Sequence, residues 1–355
     1  MIIMSNPFRY ISRKPLAIAV LMATSAFVSF DRAVMPSGNS VDIAQPHVST
    51  VDTETTSGNR FHLNQTFEAT SMVYASTAHP SGQMAVSGSF DGMLSLWDTA
   101  TGEFLYGDMA HADAIEEVSV GPTGKFLAAG SWDNRISVWN LDTRTQIHTL
   151  SSHTDDVKAI TIAPDETFLA SGSFDKTVKV WDLKTGELLH TLRHAHGITA
   201  IAISPNGKTL VSGDRRGNLH FWNLTQWAKS NTVKGHHRTI WALSFSPDGT
   251  LLASSSQDKT VKLWNPNQQT LAHTFDGHKR AVYGVAFSPD GQMLASSGYD
   301  RRIKLWNVAT YDLLQVLEGH SKAVWSVNFS DEGNTLVSSS ADGTVNVWES
   351  SLPEN

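Results

Sequence analysis

The stretch Gly235–Asn265, GHHRTIWALSFSPDGTLLASSSQDKTVKLWN, decides the fold. From Trp241 to Phe245 large apolar residues alternate with small ones, the period-two pattern of a strand with one buried face. Ser246-Pro-Asp-Gly249 then reads as a tight turn, since proline presets its own φ and glycine accepts a positive one. Leu251 to Ser255 forms a second strand, Gln257-Asp-Lys259 a second turn, and Val261 to Trp264 a third strand. Gln269 to Phe275, just beyond the quoted stretch, supplies a fourth. Four short strands joined by tight turns pair with their neighbours as one antiparallel sheet.

The same unit recurs along the chain. Strands ending in tryptophan close at Trp97, Trp139, Trp181, Trp222, Trp264, Trp306 and Trp348, with spacings of 42, 42, 41, 42, 42 and 42 residues. Counting back 28 residues from each gives His111, His153, His194, His236, His278 and His320, with Ala69 in the first unit. Six residues before each tryptophan stands Asp91, Asp133, Asp175, Asp258, Asp300 or Asp342, with Arg216 in the fourth unit. A fixed period of this length is the mark of a repeat architecture, in which each unit buries its faces against its neighbours.

Gly-His, a later Asp and a terminal Trp-Asp or Trp-Asn at this period resemble the WD40 repeat family over roughly residues 60–350. The resemblance implies an all-β, seven-bladed β-propeller with four-stranded antiparallel blades. The strand count agrees. After Trp348 only seven residues remain, too few for a good fourth strand, whereas Phe61 to Phe67 precedes the first unit with no partner of its own. This N-terminal strand is expected to complete the last blade and close the ring, leaving no large open edge. Residues 351–355 form a short tail.

Ahead of the repeats, Arg9, Arg13 and Lys14 precede an apolar run from Leu16 to Phe30, the layout of a secretory signal with a weak cleavage site after Ala26. The run is about 15 residues, shorter than the roughly 20 that a spanning helix needs. Residues 1–30 are thus read as a signal peptide or an N-terminal anchor, and 31–59 as a flexible polar linker. Both readings place the propeller outside the cytoplasm, periplasmic or extracellular, with membrane contact only through the anchor.

Charge and cysteine content narrow the function. The net charge of −7 belongs wholly to the repeats, because four basic and four acidic side chains cancel over the first 59 residues. A net-negative domain lacks the basic footprint of a general nucleic-acid binder, so no nucleic acid is expected. The chain has no cysteine, which removes disulfides, thiolate metal sites and a catalytic thiol. No calcium loop, phosphate-cradling glycine loop or nucleophile elbow is present, and no cofactor or metal is expected.

A His, a Ser and an Asp recur with each Trp and invite a catalytic-triad reading. Their repetition argues for structure: a catalytic set is needed once. The resemblance implies a hydrogen-bonded chain that ties loop to strands, which would satisfy buried polar groups. The set is complete as His153, Ser171, Asp175, Trp181; as His236, Ser254, Asp258, Trp264; as His278, Ser296, Asp300, Trp306; and as His320, Ser338, Asp342, Trp348. The first unit lacks the His (Ala69), the second the Ser (Ala129) and the fourth the Asp (Arg216). His148, His190 and His273 share one position on three different outer strands, so they radiate apart and form no metal set.

Binding is expected on the face bearing the residues just after the His and just before the Asp. There the family pattern places Tyr74, Trp132, Phe174, Arg215, Arg238, Trp241, Tyr283, Tyr299 and Trp325. Trp, Tyr and Arg are the types that dominate binding energetics, because they bury much area and keep a polar handle. Units two and three bring Asp113, Glu116, Glu117, Asp155 and Asp156 to this face. Units four to seven bring cations, among them Arg215, Arg216, Lys259, Lys279, Arg280, Arg302 and Lys322. Such a divided rim would orient a partner protein with an acidic segment across the basic side. The reading is a non-enzymatic protein-interaction scaffold. The alternative is a small-ligand or glycan-binding propeller, with aromatics stacking on sugar rings; an enzyme is a third and weaker reading.

Overall fold

The computed structural model describes residues 61–351 and the backbone of Val48–Ser49. The expected signal or anchor, residues 1–30, lies outside the described residues, as does the expected linker, 31–59, apart from Val48 and Ser49.

Each repeat folds as the fifth unit suggests. There the strands are Ile240–Phe245, Leu252–Ser256, Val261–Asn265 and Thr270–Phe275, paired in that order from the inside outward. Gly249 takes the positive φ that its turn requires, at 70°. Seven sheets of this kind follow one another, and every pairing in them is antiparallel. The inner strand of each blade packs against the inner strand of the next, and the seventh, Val324–Phe329, returns to the first, Val73–Ala78. The ring is closed.

Closure uses the N-terminal strand. Phe61–Glu68 pairs antiparallel with Thr344–Ser350, Phe61 opposite Ser350 and Glu68 opposite Thr344. Val48–Ser49 adds a short fifth strand beyond it, opposite Phe67 and Thr66. The outermost strand of the last blade therefore comes from the opposite end of the sequence.

The blades cohere because each has two apolar faces. Val178 and Leu192 of the third blade pack with Ile198, Ile201 and Trp222 of the fourth, all buried. Burying a Val, Leu or Ile side chain contributes about 1.5–3 kcal/mol, and a lone blade would leave both faces wet. The blades also approach closely. A Cβ on Gly172 would stand 2.6 Å from Ile198 Cγ2, so the absent side chain is what lets the next inner strand come near. This frame carries the loops of one face at fixed radius.

Candidate binding face

The repeated polar residues build the frame under that face. In the third blade Trp181 Nε1–H donates to Ser171 Oγ at 2.9 Å, Ser171 lies 2.7 Å from His153 Nε2, and His153 Nδ1 lies 2.7 Å from Asp175. One proton order satisfies every group: the indole donates to serine, serine to imidazole, imidazole to carboxylate. The fifth blade matches it, with Ser254 at 2.7 Å and Asp258 at 2.9 Å from His236. So do the sixth, through His278, Ser296, Asp300 and Trp306, and the seventh, through His320, Ser338, Asp342 and Trp348. The Asp carboxylate also accepts the N–H after the histidine, as from Thr154 at 3.2 Å, and so pins the loop to the turn.

Burial works against the charge on Asp175, but hydrogen bonds from His153 and Thr177 outweigh it and hold that carboxyl well below the usual range. Asp258 and Asp342 behave alike. Ser171, Ser254, Ser296 and Ser338 are fully buried, 0 % exposed, beneath tryptophan N–H groups. No substrate reaches those hydroxyls, so the triad-like sets serve as ties.

In the three exceptional blades, which do lack the expected residue, other groups take up the role. The second blade does have its hydroxyl. Ser137, on the strand that ends in Trp139, lies 2.9 Å from His111 Nε2 and accepts the Trp139 N–H at 2.9 Å. Ser137 stands directly opposite Ala129, so the group comes from the facing strand. In the first blade Thr70 takes over part of the role of the missing histidine and donates to Asp91 at 2.7 Å. The fourth blade rewires. Asp214, two residues before the expected position, bonds His220 Nε2 at 3.2 Å and Asn218 Nδ2 at 2.7 Å. His194 still meets Ser212 at 2.9 Å, and its ring lies edge-on to His220 at 4.9 Å. Burial, then the second imidazole, pushes His194 down to about 3, so it stays neutral.

Above this frame the aromatic residues form a continuous collar. Trp241 meets Tyr283 at 5.6 Å, Tyr283 meets Trp325 at 4.3 Å, Trp325 meets Tyr74 at 5.5 Å, and Tyr74 meets Trp132 at 5.5 Å between ring centroids. The chain thus runs from the fifth blade through the sixth, seventh and first to the second. Tyr299 joins it beside Tyr283 at 6.4 Å and is 46 % exposed. Phe90, beside Tyr74 and Trp132, is 41 % exposed. Phe174 is linked through a cation, since Lys158 Nζ lies 4.8 Å from the Trp132 ring and 5.1 Å from the Phe174 ring. Arg215 also lies over the Phe174 ring at 6.0 Å, and Arg280 covers Tyr299 at 5.3 Å. Arg238 is exposed on the loop before Trp241.

The charge division is less even than the sequence suggests. Glu116 is paired with Lys158 at 2.7 Å and accepts the Trp132 N–H. Glu117 is half-buried, and burial followed by the nearby Glu116 pushes its carboxyl up to about 8. Asp113, Asp155 and Asp156 remain at the acidic side, half-buried. On the basic side Arg215, Arg216, Arg238, Lys259, Lys279, Arg280 and Lys322 are exposed. Arg302 is taken up by Glu318 at 2.7 Å. Asp258, Asp300 and Asp342 on those blades are engaged by imidazoles, so exposed cations outnumber the exposed carboxylates of Asp276 and Glu318 there. Glu116 and Lys158 share the register of the collar rings, a signal that could have joined them to the site.

Among the described residues no group of three or more His, Cys, Asp or Glu is placed to hold a metal ion. His148, His190 and His273 do lie on separate outer strands.

No curated protein matches the chain. The family described as WD domain, G-beta repeat matches seven times, over residues 61–98, 102–140, 144–182, 186–223, 227–265, 269–307 and 311–349. Each matched unit ends at the tryptophan strand and begins with the outer strand of the preceding blade, which is why the first match needs Phe61. The chain belongs to the WD40 family, whose propellers typically serve as platforms for binding other proteins.

Proposed function

We propose that the chain is a non-enzymatic interaction scaffold that works outside the cytoplasm and binds a protein through the collar and the basic side of its rim. The carrying observation is the run of touching rings from Trp241 to Trp132, bordered over blades four to seven by exposed cations. Rings held by their neighbours lose little freedom on binding, and arginine beside them adds polar reach. A partner with an acidic segment fits the basic side, where opposite charge speeds encounter more than it adds affinity. Export rests on the basic-then-apolar N-terminus, and fractionation of cells should find the mature protein in the exported fraction.

Capture from that fraction tests the partner. Replacing Arg238 and Arg280 by Gln should reduce recovery of the bound protein and flatten its dependence on salt, because screening acts within about 10 Å at 0.1 M salt. Arg302 is a poorer choice, being paired with Glu318. Unchanged capture at every salt concentration would remove the acidic partner from the reading. The same rings support a glycan or small-ligand reading, which a thermal-shift series with neutral sugars separates, since only that reading expects a large rise in melting temperature.

A further inference from the structure

On blades two and three the face already holds a carboxylate, the protein's own. Glu116 Oε2 accepts the N–H of Trp132, its Oε1 lies 2.7 Å from Lys158 Nζ, and that ammonium sits over the Trp132 ring at 4.8 Å. The arrangement has three parts: an indole N–H, a cation against an aromatic ring, and a carboxylate held by both.

Blades five to seven repeat two of the three. Trp241 and Trp325 flank Tyr283, with centroids at 5.6 and 4.3 Å from it. Arg280 lies over Tyr299 at 5.3 Å, and Arg238 is exposed three residues before Trp241. The Nε1 atoms of Trp241 and Trp325 are buried, and no acceptor among the described residues reaches either. Buried donors are nearly always paired, because desolvating one alone is unfavourable. The strand-ending tryptophans follow that rule, as Trp264 with Ser254 at 2.8 Å and Trp348 with Ser338 at 2.9 Å.

We propose that this side of the collar is a carboxylate pocket, filled by a Glu or Asp side chain of the partner, with the N–H groups of Trp241 and Trp325 as donors and Arg238 and Arg280 as counter-charges. The inference rests on the acidic-partner reading above and adds to it a named pocket. Glu116 on Trp132 is its internal precedent. The Tyr283 phenol between the two indoles is protonated at neutral pH, as any phenol is, and burial pushes it further up, to about 12, so it offers a third donor. Both indole nitrogens are covered, so the pocket requires the rings to turn aside for the carboxylate to enter.

The probe is a fluorescein-labelled peptide of alternating Glu and Gly, with a Gln-Gly peptide as its neutral twin, titrated into the full chain at low salt. The Glu peptide should bind and the Gln peptide should not. Trp241→Phe with Trp325→Phe keeps two rings and removes both N–H groups. That variant should bind the Glu peptide about a hundredfold more weakly, about tenfold for each of the two hydrogen bonds to a charged group, and each single Phe variant about tenfold. Its melting curve reports folding, and each single Phe variant replaces it if the double variant melts early. Native-like binding by the Phe variants, or equal binding of the Gln peptide, overturns the pocket. Either result leaves the acidic-partner reading standing if Arg238→Gln with Arg280→Gln still reduces capture. Failure of the Glu peptide to bind the native chain overturns the pocket, and capture indifferent to both arginines then removes the acidic partner as well.

Discussion

Glu117 stands where the other inner strands carry Ala75, Ala159, Ala200, Ala242, Gly284 and Ser326. Those small residues allow close blade contact; Ala200, for example, is buried against Ile240 of the next blade. A carboxyl in that position loses hydration, and the only opposing influence on its pKa is the Val118 N–H. Its ordinary value is 4.5 and its folded value about 8. Between these the folded protein keeps a proton that the unfolded chain has released. Stability is therefore full below about pH 4.5, falls as pH rises, and levels off above about pH 8. Glu117→Gln removes the titration. It should change little at pH 4 and stabilise the protein at pH 9 by about 2–4 kcal/mol, allowing for the residue's partial contact with solvent. Urea unfolding at both values checks this; parallel curves for the two proteins would mean that the acid is fully hydrated. The sequence shows the substitution but reads it as rim charge, because a β-bulge between Ile115 and Glu117 decides which way the side chain faces.

At the scale of the strand, position in the repeat is legible and compensation across a pair is not. The period locates all seven blades, their turns and the residues of the four regular networks. It misses Ser137 because the hydroxyl of the second blade comes from the strand facing Ala129, where the repeat pattern assigns no role. It misses His220 because that residue matters only once Asp214 turns toward it. It also leaves the outer-strand histidines unexplained, whereas in three dimensions all three clasp the next blade: His148 Nε2 lies 3.0 Å from the Lys184 carbonyl oxygen. His190 stacks on Trp227 at 4.0 Å, and His273 stacks on Tyr311 at 3.9 Å. The serine can be tested directly. Ser137→Ala strands His111 Nε2 and Trp139 Nε1 together and should cost about 1–3 kcal/mol. Adding Ala129→Ser moves the hydroxyl to the strand that supplies it elsewhere, and should recover most of that loss in thermal unfolding. Absence of recovery would mean that the second blade's backbone has adapted to the alternative donor.

For the whole molecule the decisive element is Phe61–Glu68, because it works at both borders of the last blade. Phe61 packs in the cluster shared with the sixth blade, beside Leu305 and Leu317, and its backbone N–H and C=O are both held by Gln315, at 3.0 and 2.7 Å. Phe67 lies on the other border, stacked on Trp97 of the first blade at 5.1 Å. One strand therefore fastens the seventh blade to each neighbour as well as to Thr344–Ser350. Removing residues 1–68 would expose the edge of Thr344–Ser350 and both apolar borders. Loss of the two buried phenylalanines alone removes about 3–6 kcal/mol of burial, comparable to the whole margin of many domains. The truncated chain should melt well below the native one and associate through its open edge. A synthetic peptide spanning Phe61–Glu68 should raise its melting temperature in a concentration-dependent way, as any ligand of the folded state does. A peptide with both phenylalanines replaced by alanine should not. If the truncated chain melted like the native protein, the ring would be held by side-to-side packing of the blades and the N-terminal strand would be only a cover for the last edge.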